Sequence, residues 1–200
     1  MNVGILISGR GSNMAAIASA VSNGEIPGCR IAVVVSDRPD AAGIEIARGF
    51  GIETAVISRR GRSREEHDAE IIEKLKQFGV DFVCLAGYMR LLSPLFVETF
   101  PRRILNIHPS LLPAFPGLDA QKQAIEHGVK VSGCTVHFVN EDLDAGPILL
   151  QIAVEVLEDD TPEKLGARIL KQEHRAYVEA LKLIAGGKVK IFGNRVQVDK

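Results

Sequence analysis

Short, nearly continuous apolar runs alternate along the first half of the chain with segments whose apolar residues recur at helical spacing. Residues 3–7, 31–35, 54–57, 82–85 and 104–107 are predicted strands. They lack a polar face, so both of their faces must be covered. Helices are predicted between them at 12–22, 42–49, 63–78 and 94–100. This alternation predicts an α/β fold with a mainly parallel, Rossmann-like sheet and helices on both faces.

The pattern changes in the second half. Residues 131–139 alternate more strongly, with polar Ser132, Thr135 and His137. Residues 148–156 form a second extended run, separated by the loop Asn140-Glu141-Asp142-Leu143-Asp144-Ala145-Gly146-Pro147. The pair predicts a mixed or antiparallel extension of the sheet in the C-terminal half. A long helix should begin at Thr161-Pro162, a hydroxyl cap followed by proline in the first turn, and end at Gly186-Gly187. Residues 189–192 and 195–198, around Gly193-Asn194, predict a small hairpin. With no repeat or long linker in the pattern, a single domain over 1–200 is expected.

Charge narrows the function classes. The 24 basic and 25 acidic residues nearly cancel, so no general nucleic-acid or membrane-surface role is expected. Arg59, Arg60, Arg62 and Arg64 cluster locally and read as a solvated approach to a helix. Cys29, Cys84 and Cys134 are odd in number and far apart, which predicts thiols rather than a disulfide framework. The opening residues lack a basic stretch and a long apolar run, and no run reaches membrane-spanning length. A reduced, cytoplasmic protein is the expectation.

Three places could carry chemistry. The first is Asn106-Ile107-His108-Pro109-Ser110-Leu111-Leu112-Pro113, at the end of the fifth predicted strand. Side chains two apart on a strand share a face, so Asn106 and His108 should point the same way where open α/β sheets bind ligands. An amide and an imidazole there can donate hydrogen bonds and exchange a proton, although many lone histidines are simply satisfied structural residues. The second is Ser8-Gly9-Arg10-Gly11-Ser12-Asn13, which leads from a strand into a helix. Its backbone amides favour an anion, or it is a glycine turn that binds nothing. Met14 breaks the dinucleotide fingerprint and no Walker lysine follows, so a monophosphate fits better. The third is Asp144, a plain turn residue unless its loop folds back on His108, where it would orient the ring.

Among the other histidines, His67 and His127 fall at helical or helix-end positions and are expected to be solvated. His137 reads as core-edge, and His174 follows Glu173 on the long helix. No spacing supports a metal site. Nothing supports a serine nucleophile elbow either.

Taken in order, these motifs resemble the phosphoribosylglycinamide formyltransferases of the folate-dependent formyltransferase family. The resemblance rests on residues 4–13, on Ala86-Gly87-Tyr88-Met89-Arg90-Leu91-Leu92-Ser93, on 106–113 with Pro116-Gly117, and on Leu143-Asp144-Ala145-Gly146-Pro147. It covers nearly the whole chain. It implies a phosphate-binding half over 1–100 and a folate-binding and catalytic half over 101–200. Asn106, His108 and Asp144 match the family's catalytic trio, and Gly11, Ser12 and Asn13 its phosphate loop. Lys171 and Glu173, in Lys171-Gln172-Glu173-His174, fall on the substrate's phosphate and ribose side, with Glu173 toward the ribose hydroxyls. Met89, Arg90, Leu91 and Leu92 resemble the wall around the folate pterin, which Asn106 also touches. Asn140, Glu141, Asp142, Leu143 and Asp144 resemble the folate loop, and Arg64 the contact to the folate's anionic end.

The implied reaction moves a formyl group from 10-formyltetrahydrofolate to the amine of 5′-phosphoribosylglycinamide in purine (IMP) synthesis. Asn106 and His108 would stabilise the tetrahedral species, with Asp144 pairing with His108. Formyl folate is then a co-substrate, no metal is required, and the partners are small molecules rather than nucleic acid or membrane. A monomer or homodimer is expected. The alternative is a 10-formyltetrahydrofolate hydrolase with the same trio and water as acceptor. A tRNA formyltransferase would be expected to carry a basic surface. A nucleotide-sensing module without catalysis would not need the trio. Tyr88 stands where many members have phenylalanine, and Ala114-Phe115 replaces a more polar pair; no binding role is carried to those positions.

Overall fold

The computed structural model describes residues 1–199, so Lys200, the last residue of the expected domain, lies outside the described residues. The elements run β1 (Asn2–Ile7), α1 (Ser12–Ser22), β2 (Arg30–Ser36), α2 (Ala42–Gly49), β3 (Thr54–Val56), α3 (Arg64–Gln77), β4 (Phe82–Leu85), α4 (Pro94–Thr99) and β5 (Ile104–His108). They continue with α5 (Ala120–Glu126), β6 (Val131–Phe138), β7 (Ile148–Glu155), α6 (Pro162–Ala185), β8 (Val189–Phe192) and β9 (Arg195–Val198). Hydrogen bonding orders seven strands as β3-β2-β1-β4-β5-β6-β7, with β8-β9 as a separate pair.

The chain divides into two compact units, Met1–Asn106 and the part beginning at Ile107, so the division falls inside β5 between its two polar residues. In the first unit β1, β2, β3, β4 and β5 pair in parallel. Consecutive residues of β1, β2 and β4 are buried almost without interruption. Successive side chains point to opposite faces, so both faces of these strands are covered, as their continuous apolar runs require. The helices between them start on chemical signals. Ser63 caps α3 in a reciprocal capping box with Glu66, and Ser93 caps α4 ahead of Pro94.

In the second unit β6 and β7 pair antiparallel, with Thr135 directly opposite Gln151. Thr161 caps α6, and β8 and β9 form the expected hairpin.

One element goes beyond the predicted list, and one expectation is corrected. α5, whose C-cap is His127, has seven residues spanning two turns only, too few for a periodic stripe to mark its bounds. His67 is not solvated: it is 1% exposed, and its Nε2 lies 2.7 Å from the Ile57 carbonyl oxygen. The polar run preceding it, Arg64-Glu65-Glu66, is the exposed first turn of α3, and the helix turns His67 and Asp68 inward.

Candidate active site

β5 is apolar except at Asn106 and His108, and strand alternation places these two on one face at its C-terminal end. Asn106 is half-buried and His108 is 5% exposed. His108 Nδ1 lies 3.3 Å from Asp144 Oδ2, and its Nε2 lies 2.8 Å from the Phe115 carbonyl oxygen. An imidazole carrying a proton on both nitrogens therefore has an acceptor for each. The Asp144 carboxylate is 9% exposed and also accepts from the Gly117 amide at 2.8 Å. The loop does fold back on His108.

Local geometry explains how Asp144 gets there. It sits at φ 50°, a left-handed conformation that aspartate tolerates better than most residues. Two residues on, Gly146 passes so close to β6 that an added Cβ would meet the Phe138 carbonyl oxygen at 1.9 Å. The Phe138 amide donates to the Pro147 carbonyl at 2.9 Å and closes the loop. Of the remaining loop residues, Asn140 is half-buried and Glu141, Asp142 and Leu143 are exposed.

A second histidine, read from the sequence only as core-edge, joins the cluster. His137 is 2% exposed, its Nε2 lies 3.7 Å from Asp144 Oδ1, and its Nδ1 lies 3.0 Å from the Phe138 carbonyl oxygen. Burial is the main force on its pKa and pushes it below the ordinary histidine value. His137 therefore supplies a neutral ring on the other side of the Asp144 carboxylate. The signal that could have found it is polar spacing: Thr135 and His137 stand two apart, on one face of β6.

The first unit holds the glycine turn. Gly11 precedes α1 at φ 72°, and an added Cβ there would meet the Gly43 Cα at 2.6 Å. Glycine is required on both counts. The N-cap position of α1 is Gly11, which has no side chain to cap the helix. Ser12 is half-buried and Asn13 is 7% exposed.

The segment after β4 is tied to this turn. The Ser8 amide donates to the Gly87 carbonyl at 3.1 Å, and the Met89 amide donates to Ser8 Oγ at 2.9 Å. Arg90 Nε donates to Asp37, whose side chain is 3% exposed. Met89 and Leu91 present 69% and 57% of their surface, Leu92 is half-buried, and Arg64 opens α3 on the surface. Tyr88 is buried and its hydroxyl finds no hydrogen-bond partner among the described residues; burial chiefly raises its pKa.

On α6, Lys171 is exposed and Glu173 is 8% exposed. Cys84 and Cys134 are fully buried thiols; burial first, and then the Glu173 carboxylate, pushes Cys134 up to about 12. Among the described residues no group of three or more histidine, cysteine or acidic side chains is placed to hold a metal ion, and no helix is long and apolar enough to cross a membrane.

Known proteins share this architecture. The formyl transferase family model matches residues 1–181. Phosphoribosylglycinamide formyltransferase of Escherichia coli (strain K12) is 43% identical over 200 residues, covering 100% of this chain and 94% of that protein. The human trifunctional purine biosynthetic protein adenosine-3 is 45% identical over 96% of this chain, which spans only 19% of that protein's length. The crystal structure of glycinamide ribonucleotide transformylase 1 from Symbiobacterium toebii superposes with a TM-score of 0.98 at 55% identity, covering 100% of this chain and 94% of that one. A formyltetrahydrofolate deformylase from Pseudomonas syringae pv. tomato is more distant in sequence: TM-score 0.93 at 28% identity, with this chain covering 66% of that one. The chain belongs to the formyl transferase family.

Proposed function

We propose that the chain transfers the formyl group of 10-formyltetrahydrofolate to the amine of 5′-phosphoribosylglycinamide. The observation that carries this reading is the buried His108–Asp144 pair, 3.3 Å apart, at the end of a strand that also presents Asn106. An amine is already a competent nucleophile, so the site needs no nucleophile of its own. It needs a hydrogen-bond donor where negative charge develops on oxygen, and a group that favours that charge electrostatically. Asn106 supplies the first and His108 the second.

The amine nitrogen forms a bond to the formyl carbon, giving a tetrahedral species with a negative oxygen and a positive nitrogen. Asn106 donates to that oxygen, and protonated His108 stabilises it electrostatically. A proton then leaves the attacking nitrogen for the folate nitrogen, and the bond between that nitrogen and the formyl carbon breaks. Asp144 holds His108 in orientation throughout, and neutral His137 flanks the carboxylate without adding a charge.

Binding roles follow from local chemistry. The uncapped start of α1 with Gly11, Ser12 and Asn13 suits the substrate phosphate. Glu173 suits ribose hydroxyls as an acceptor, with Lys171 toward the same substrate. The exposed apolar surface of Met89 and Leu91, beside Arg90 and Leu92, suits the flat pterin. Asn140, Glu141, Asp142 and Leu143 suit the folate as a mostly exposed polar loop, and Arg64 suits its carboxylate end.

A spectrophotometric assay of folate release tests the reading. Release that requires phosphoribosylglycinamide is expected. Equal release without the amine would mean hydrolysis, and no release in either case would overturn the reading altogether.

A further inference from the structure

His108 and Asp144 are each held by the backbone of one turn, residues 109–117. The Phe115 carbonyl meets His108 Nε2, and the Gly117 amide meets Asp144. Whatever fixes that turn therefore fixes the geometry of the pair. The turn closes on itself where Ser110 Oγ donates to the Ala114 carbonyl. Its attachment to the sheet is made by two side chains that stand opposite one another on β6 and β7, Thr135 and Gln151.

The bonding is complete. Thr135 Oγ1 donates to the Ser110 carbonyl at 2.6 Å, and accepts from the Leu112 amide at 3.0 Å and from Gln151 Nε2 at 3.0 Å. A hydroxyl has one hydrogen to give and two lone pairs, and all three are used. Gln151 Nε2 places its second hydrogen on the Leu112 carbonyl at 2.9 Å. Thr135 is fully buried, so its hydroxyl, or the Leu112 amide and Ser110 carbonyl that it pairs, would carry the full cost of desolvation if left without a partner; Gln151 reaches in from an exposed position.

The same face of β6 does the rest. Gly133 leaves room for the Leu111 side chain, which an added Cβ would meet at 2.8 Å, and His137 faces Asp144. Positions 133, 135 and 137 thus seat the turn, clamp it and flank the carboxylate.

We infer that Thr135 and Gln151 are positioning residues for the reaction, acting on His108 and Asp144 through the 109–117 turn. The inference rests on the formyl-transfer reading for its kinetic consequence but not for its geometry. Thr135→Val keeps the volume and removes the hydroxyl, whereas Thr135→Ser keeps the hydroxyl. Thr135→Val is expected to lower kcat by about tenfold to a hundredfold, the scale of a misplaced catalytic group. KM for both substrates should change far less, and Thr135→Ser should restore kcat. Gln151→Met, which leaves the Thr135–Ser110 bond in place, should act in the same direction with a smaller effect and guards against a Thr135 variant that fails to fold.

The decisive readout needs no substrate: the nitrogen NMR signals of the His108 ring and their titration in the protein alone. They should move in Thr135→Val and return in Thr135→Ser. Unchanged ring signals and unchanged kcat in Thr135→Val would overturn the inference, as would equal losses in the valine and serine variants. Ring signals that move while the wild-type protein transfers no formyl group would uphold the positioning role and overturn only the reaction.

Discussion

The turn at residues 9–13 is made of main chain, while the cluster around His108 is made of side chains gathered from three separate stretches. At Gly11 the proposed site depends on what is missing: no Cβ, and no side-chain cap on the helix that follows. At His108 the proposed site depends on what is gathered: the Asp144 side chain from one loop and that of His137 from β6, with the Phe115 main-chain carbonyl of the proline-rich turn as a support. A main-chain site is specified by a few adjacent residues and tolerates little change in backbone shape. A side-chain site is specified by tertiary folding, and its parts can be removed one at a time.

That difference makes the substitutions separable. His108→Ala or Asn106→Ala should lower kcat on the order of a hundredfold or more, the usual loss when an oxyanion donor is removed, with circular dichroism and thermal midpoint close to wild type. Near-normal turnover in either purified variant would remove the cluster from the chemistry.

Gly11→Ala should act through binding. It forces a side chain into the left-handed region and against Gly43, costing roughly 1–3 kcal/mol of stability. It should also raise KM for the phosphorylated amine more than KM for the folate. A rise in the folate KM alone would show that this turn does not face the phosphate.

Smaller effects belong to elements that only support each site. Ser63→Ala removes the capping box of α3 and should cost about 1 kcal/mol, read as a lower midpoint in denaturant. In the second unit Arg168 donates two hydrogen bonds to Asp160 and holds its pKa at about 2 against an ordinary 3.8. The folded state thus binds the proton less readily than the unfolded one. This contribution is present above about pH 4 and is lost as pH falls toward 2. Asp160→Asn should flatten that acid limb, and an unchanged limb would contradict the pairing.

The same contrast explains what could be read in advance. The parallel half was legible because its strands are buried on both faces and their apolar runs say so directly. Gly11, Asn106 and His108 stood out because each breaks a local pattern: a glycine at a strand-to-helix turn, and polar groups in an apolar strand. Asp144 reads from its own neighbours as an ordinary turn residue and entered the trio only through the family resemblance; its left-handed backbone and the Gly146 contact with Phe138 show how it reaches His108.

His137, Thr135 and Gln151 were harder, because a polar residue on an alternating strand reads equally well as solvated. Their value lies in partners far away in sequence: Asp144 for one, Ser110 and Leu112 for the others. His67 misled for a related reason, since a charged first turn conceals the inward face of a capped helix. Tyr88 was legible as a departure, and its buried hydroxyl is without a partner among the described residues.

The most direct test of formyl transfer follows the formyl carbon itself. With a carbon-13 label in the formyl group of 10-formyltetrahydrofolate, the purified protein and phosphoribosylglycinamide, NMR should show the label moving into the formamide of the glycinamide product, with no formate. Label appearing as formate, at a rate indifferent to the amine, would contradict the account.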